Sequence, residues 1–314
     1  FCNKIWNASR YVLMHSESHV NSSAQRNDLL NIYDRWIASS LHSAINDVRE
    51  HLSGYRFDLA ANCIYEFVWT DYCDWYLEFS KTILWNEKLD AEQQISTKSS
   101  LLKVLEATLL IMHPFMPFIT EEIWQSIFKK ERERKTIMLE PYPKADTWAI
   151  DSEADAEIEW LQNIISEIRT LRSEININPG KHISIVIRES GSKKKERLLS
   201  HFDQIKRLAK VEHIAWLESE EESPPAINSM IDQMEIMIPL DGLLDKEAEL
   251  KRIEKQTRQL GKEISRLESK LNNSEFIIKA PPLVIENERR KHNDYKKQLN
   301  ALILQEQVIR NIED

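Results

Sequence analysis

Glycine is scarce. The 314 residues hold five, at Gly54, Gly180, Gly191, Gly242 and Gly261, each isolated. A phosphate cradle of the G-x-G-x-x-G or P-loop kind needs closely spaced glycines so that backbone amides can approach the anion, and none can be written here. Nucleotide chemistry on such loops is excluded. Cysteine is scarce as well. Cys2, Cys63 and Cys73 are an odd number without C-x-x-C spacing, and nothing resembles a secretory signal, so a reducing, cytoplasmic setting is expected. Long apolar runs are missing too. The nearest, "ATLLIMHPFMPFI", falls short of the roughly 20 residues a membrane span needs and is interrupted by His113, Pro114 and Pro117, so no membrane partner is expected. The chain also lacks an initiator methionine and opens at Phe1 inside a helical pattern, which reads as a piece of a larger protein.

Charge is plentiful and unevenly placed. The net charge is −9, from 42 Lys+Arg and 51 Asp+Glu, which alone argues against a polyanionic partner. Residues 251–297, however, carry 13 Lys+Arg against 7 Asp+Glu, a local +6 that leaves −15 for the remainder. The basic charge sits at the far end.

The apolar periodicity predicts a mainly α fold. From Phe1 to about Phe128, apolar residues recur at three and four, which predicts an antiparallel helical bundle. Its first helix is "NKIWNASRYVLMH", followed by a polar linker; the second runs to Gly54, read as its C′ glycine. Asp58 is expected to cap the third, "LAANCIYEFVWTDYCDWYLEFSKTILW", and Ser99 or Ser100 to open a fourth, which Pro114 and Pro117 end or kink. Thr120 is expected to cap a short fifth helix. Residues 129–156 read as a charged, proline-containing connection. A helix over "EIEWLQNIISEIRTLRSEI", the strands "ISIVI", "HIAWLE" and "QMEIMIPL", and one helix over "RLLSHFDQIKRLAKV" make a small α/β subdomain. Leu250, Ile253, Leu260, Ile264, Leu267 and Leu271 approach heptad spacing, with Thr257 the polar exception. After Pro281 and Pro282 a weaker seam follows, Ile285, Tyr295, Leu299, Leu302 and Ile309, with Glu288, His292 and Glu306 between. The double proline forbids one continuous helix, so the two runs fold back as an antiparallel coiled-coil hairpin of roughly 45 Å. The expected domains are 1–150, 151–240 and 241–314.

Chemistry has few candidate addresses. Asp71, Asp74 and Glu78 fall on one helical face, but no histidine accompanies them, and Trp69, Tyr72, Trp75 and Tyr76 around them read as inter-helix packing. His113, before a proline that frees carbonyls, reads as satisfying a buried acceptor rather than binding metal. A metal-dependent hydrolase built on these groups is the weakest reading. No Ser/His/Asp, Cys/His or paired-glutamate arrangement has supporting context, so neither catalytic nor metal-binding residues are assigned. Asn3, Lys4, Asn7 and Arg10, interleaved with Trp6 and Tyr11, can hydrogen-bond and stack on unpaired bases; a solvated face explains their spacing equally well. Arg258, Lys262, Arg266 and Lys270 recur every four residues, and Arg289, Arg290 and Lys291 lie just past the double proline. Phosphate contact explains such a single-sign stripe better than solubility alone; an interaction module pairing the terminal helices with a protein partner is the alternative.

The stretches "FCNKIWNASRYV", "YDRWIASSL", "YRFDLAANCIYEFVWTDYCDWYLEFSK", "LLIMHPFMPFITEEIWQ", "TLRSEININPGK", "IPLDGLLDKEAEL" and "KLNNSEFIIKAPPLVIENER" resemble, in this order and over nearly the whole chain, bacterial valyl-tRNA synthetases. The resemblance implies a class I synthetase cut after its catalytic core. The HIGH and KMSKS signatures and the editing domain would lie upstream, with ATP and Mg in that absent catalytic domain and no cofactor here. It implies that tRNA-Val is the partner, that DNA is not, and that the protein is monomeric. The bundle would read the anticodon, with Asn3, Lys4, Asn7, Arg10 and His19 in the anticodon region. The arm would rest on the outer corner of the tRNA, its seven cations meeting the backbone.

Overall fold

Ile5, Ala8 and Val12 fall one turn apart, and in a computed structural model of the chain they are the buried stripe of α1 (Cys2–Ser16). The structure describes all residues except 17–30, 88, 129–134, 189, 190, 219, 220, 222, 241–245, 273–280 and 311–314. These residues divide into two units, Phe1–Ser166 with Arg197–Ala209, and Glu167–Glu196 with Lys210–Asp314.

The first unit is the expected helical bundle. In α2 (Ile32–Ser53) Ile37, Leu41, Ile45 and Val48 form the inward stripe. Asn31 caps it: its side chain accepts from the Asp34 amide and donates to the Asp34 carboxylate, a reciprocal arrangement that satisfies an orphan amide. The left-handed residue after α2 is Tyr55 (φ 58°), whereas Gly54 has φ −85°, so the terminating conformation lies one residue beyond the predicted glycine. The third rod begins at α3 (Phe57–Glu66), continues through a ten-residue π-helical stretch (Phe67–Tyr76), and ends as α4 (Leu77–Leu84). Asp58 does not cap it. It lies inside the first turn of α3 and pairs with Arg56, the residue at the cap position.

Two further helix starts differ from expectation. α5 (Ala91–Met112) opens eight or nine residues before the predicted serines, capped by the Asp90 side chain on the Glu92 amide, and Ser100 is buried within it. Pro114 does end it. α6 (Pro117–Phe128) begins with proline at its first position, where a missing amide costs nothing. Thr120 is therefore interior, its hydroxyl donating back to the Met116 carbonyl. Two short 3₁₀ turns, Ile137–Leu139 and Ala145–Thr147, follow before α7 (Ser152–Glu174).

The second unit holds a four-stranded sheet in the order β2-β1-β4-β3, from β1 (Ile183–Arg188), β2 (Val211–Leu217), β3 (Ala226–Ile231) and β4 (Met234–Pro239). β1 runs parallel to β2 and antiparallel to β4. The central strands are buried at Ile183, Ile185, Ile187, Ile236 and Ile238. β3 was absent from the sequence reading. It joins β4 through Asp232 and Gln233, both at positive φ (46° and 63°), a two-residue hairpin turn made without glycine. The predicted single helix after β1 is also two, α8 (Ser192–Ser200) and α9 (Phe202–Ala209), broken where the buried His201 bonds Tyr33 and Glu157. Arg172, near the end of α7, is buried and donates to the carbonyls of Asn178 and Lys181, which closes the "NINPGK" turn.

The terminal helices are α10 (Lys246–Leu271) and α11 (Pro282–Arg310). Lys270 bonds Glu288 and Glu268 bonds His292, so one number falls as the other rises and the pair is antiparallel. Ile253, Ile264 and Leu267 are buried in the seam. Its polar positions Glu288 and His292 are satisfied across it, while the buried Thr257 hydroxyl has no partner among the described residues.

Candidate nucleic-acid interface

α1 presents Asn3, Asn7 and Arg10 to solvent at helical spacing, continued by Met14 at 72% exposure. The sequence-predicted set is thus brought together on one open stripe, apart from Lys4 and His19. His19 lies outside the described residues. Lys4 turns inward: its ammonium donates to the Trp69 carbonyl (3.1 Å) and Asp74 (2.7 Å), and stands 3.6 Å from the Trp69 ring centroid. It ties α1 to the π-helical stretch. Where α3 runs into that stretch lies a surface aromatic cluster, in which Tyr65 of α3 and Trp69 stack 5.5 Å apart, with Phe1 against both.

The three carboxylates of that rod do not converge. Asp71 accepts from Ser40 of α2, Asp74 pairs with Lys4 of α1, and Glu78 pairs with Lys81. Burial raises the pKa of Asp71, with the Ser40 bond opposing it. The wider π register breaks the single face that a 3.6-residue period predicts. His113 Nδ1 lies 2.7 Å from the Thr120 hydroxyl, whose own proton goes to Met116, so the imidazole is the donor. Among the described residues no group of three or more His, Cys, Asp or Glu is placed to hold a metal ion.

Sequence reasoning passed over a cluster at the other end of α1. His15 packs on Tyr11 (4.6 Å) and against Trp85 (6.3 Å), and the Arg207 guanidinium covers Trp85 at 4.3 Å. Burial lowers the pKa of His15, and Lys98 and Lys81 lower it further, which marks the surroundings as cationic. Its members come from α1, the end of α4 and α9, so no spacing in the sequence announces it.

In the arm, all seven predicted cations are exposed. Arg258 pairs with Glu254 one turn earlier on an open surface, where such pairs add little. Lys270 bonds Glu288 at 2.9 Å across the seam. That bond is the main reason the Glu288 carboxyl lies below its ordinary pKa, with Lys291 and Arg266 adding to it. Stripe and post-proline cations therefore converge near one carboxylate. Lys262, Arg266, Arg289, Arg290 and Lys291 make no hydrogen bond or ion pair among the described residues.

Residues 34–187 match the family described as the anticodon-binding domain of tRNA ligase. Residues 245–308 match the valyl-tRNA synthetase tRNA-binding arm. The chain belongs to the valyl-tRNA synthetases. It is the tRNA-binding part of a valine–tRNA ligase, with an anticodon-binding domain ahead of an arm, and tRNA is its partner. The first match spans α2 through β1, and the second covers nearly all of α10 and α11. No helix of the described residues is long and apolar enough to cross a membrane.

Proposed function

We propose that the bundle reads the anticodon of tRNA-Val through the open stripe Asn3, Asn7 and Arg10 and the segment that contains His19, with Lys4 fixing the helix that carries them. The arm adds affinity at the outer corner of the tRNA without sequence choice. Its seven predicted cations all face solvent, five of them unpaired among the described residues, and this observation carries the reading. A two-helix rod has few means of reading base edges, but its exposed Lys and Arg can meet phosphates. On this reading 1–150, 151–240 and 241–314 are the functional parts, and the protein is a cytoplasmic monomer. The complete ligase attaches valine to tRNA with ATP and Mg held in a domain outside these residues, and the chain alone does not activate valine.

The test is binding of tRNA-Val transcripts, with native and altered anticodons, to the chain and to its Arg289→Ala/Arg290→Ala/Lys291→Ala variant across a salt series. Each phosphate neutralised contributes a slope of about −0.7 to −0.9 in log K against log salt, so the variant should flatten the slope by at most roughly two to three. Anticodon discrimination should survive. Unchanged affinity and slope would remove these three cations from the interface and favour a protein partner for the arm.

A further inference from the structure

Trp85 closes α4 with 54% of its surface exposed. Arg207 explains one face of the ring, at 4.3 Å from the centroid, and His15 lies against it tilted by 54° at 6.3 Å. More than half of the residue's surface nevertheless remains exposed. The guanidinium is itself lightly held: its nearest carboxylate is Glu78 at 4.0 Å, already taken by Lys81, and it makes no hydrogen bond among the described residues. Other exposed rings lack this combination. Phe118 is 90% exposed, but no cation lies against it among the described residues, and Tyr55 and Phe57 only face each other.

A flat, half-exposed ring backed by a cation with spare donors matches a nucleotide: the base has a π face to stack and the phosphate a charge to meet. The α1 stripe runs toward this end of the helix, and the chain leaves α1 one residue after His15, entering the segment that contains His19. Resting on the tRNA-binding reading of the bundle above, we propose that Trp85 stacks an unpaired base of the tRNA-Val anticodon loop, with Arg207 bound to the adjoining phosphate. Arg207 lies beyond residues 34–187, so the site extends the anticodon-binding domain by a residue the family match does not contain.

The experiment is binding of the chain to a tRNA-Val transcript and to transcripts made abasic one position at a time in the anticodon loop. Trp85→Ala should weaken binding about 5- to 150-fold, the range of losing one stacked base. Trp85→Phe should recover most of that loss, and its folded circular dichroism signal controls for misfolding. Stacking is not ionic, so Trp85→Ala should leave the salt slope alone, whereas Arg207→Ala should flatten it by about 0.7. One abasic transcript should bind wild type as weakly as Trp85→Ala binds the intact RNA, with no further loss when the two are combined. If wild type responds to abasic positions but Trp85→Ala binds normally, this proposal falls and the bundle's reading stands. If no abasic position matters to wild type, both fall.

Discussion

Replacing Asp34 with Asn asks whether burial or hydrogen bonding governs the carboxyl at the centre of the bundle. Asp34 is 1% exposed and accepts from Tyr76 (2.8 Å), Thr97 (3.0 Å) and Asn31 (2.7 Å). Burial raises its pKa from 3.8 to about 6, against bonds from Tyr76, Thr97, Asn31 and Ser100 that lower it. That rise corresponds to about 3 kcal/mol. The folded state holds the proton more tightly than the unfolded chain, so stability falls as pH climbs from about 4 through about 6, and the full cost stands at neutral pH. Asn carries no charge, and its geometry fits. The amide oxygen can face Asn31 and Thr97, while its nitrogen donates to Tyr76, whose hydroxyl turns to accept. Asp34→Asn is therefore expected to be more stable than wild type at pH 7.5, by up to about 3 kcal/mol, and to lose that advantage by pH 4. Urea unfolding followed by tryptophan fluorescence is the assay, since eight of the nine tryptophans lie in the unit that contains Asp34. A variant that is weaker by 2 kcal/mol or more at pH 7.5, with a difference from wild type that is flat between pH 4 and 7, would refute the reasoning and give the hydrogen bonds the larger share.

Lys4→Met should destabilise the bundle by about 2 kcal/mol, mostly through the lost charged bond to the Trp69 carbonyl, since the ion pair reaches a half-exposed Asp74. The tRNA salt slope should hardly move, and a drop near 0.9 with unchanged stability would make Lys4 a phosphate contact instead. Thr257→Val removes a buried hydroxyl that has no partner among the described residues, so α10 amides should exchange more slowly, by an opening energy of about 1 kcal/mol; faster exchange would mean the hydroxyl is satisfied.

What the sequence disclosed followed the strength of its periodicity. α1, α2, α7 and α10 carry long apolar stripes, and their existence was legible, while α11 was legible from the double proline and a weaker seam after it. Starts were less so. α5 opens with "AEQQISTK", which has almost no apolar signal, and only the Asp90 cap marks its true beginning. β3 escaped because Asn228 and Ser229 interrupt "AINSMI" at its centre, and its turn uses Asp232 and Gln233 where glycine would have announced it. In the candidate interface, Asn3, Asn7 and Arg10 could be read because one helix carries them. The destination of Lys4 could not, since its partners lie 65 and 70 residues away. The Trp85 cluster, drawn from α1, α4 and α9, leaves no local pattern at all.

The π-helical stretch from Phe67 to Tyr76 also bears on how this rod tolerates changes of length. In an uninterrupted α-helix, one residue more or less swings everything downstream by about 100°, which would turn Phe79 out of the core while Ile64 stayed in it. A wider register already winds more slowly, and its turns can tighten or loosen to absorb such a change before α4 begins. Insertions and deletions are ordinarily sought in loops. Here the place that can take one lies in the middle of a helical rod, beside the carbonyl that Lys4 holds, and both flanking faces would keep their partners.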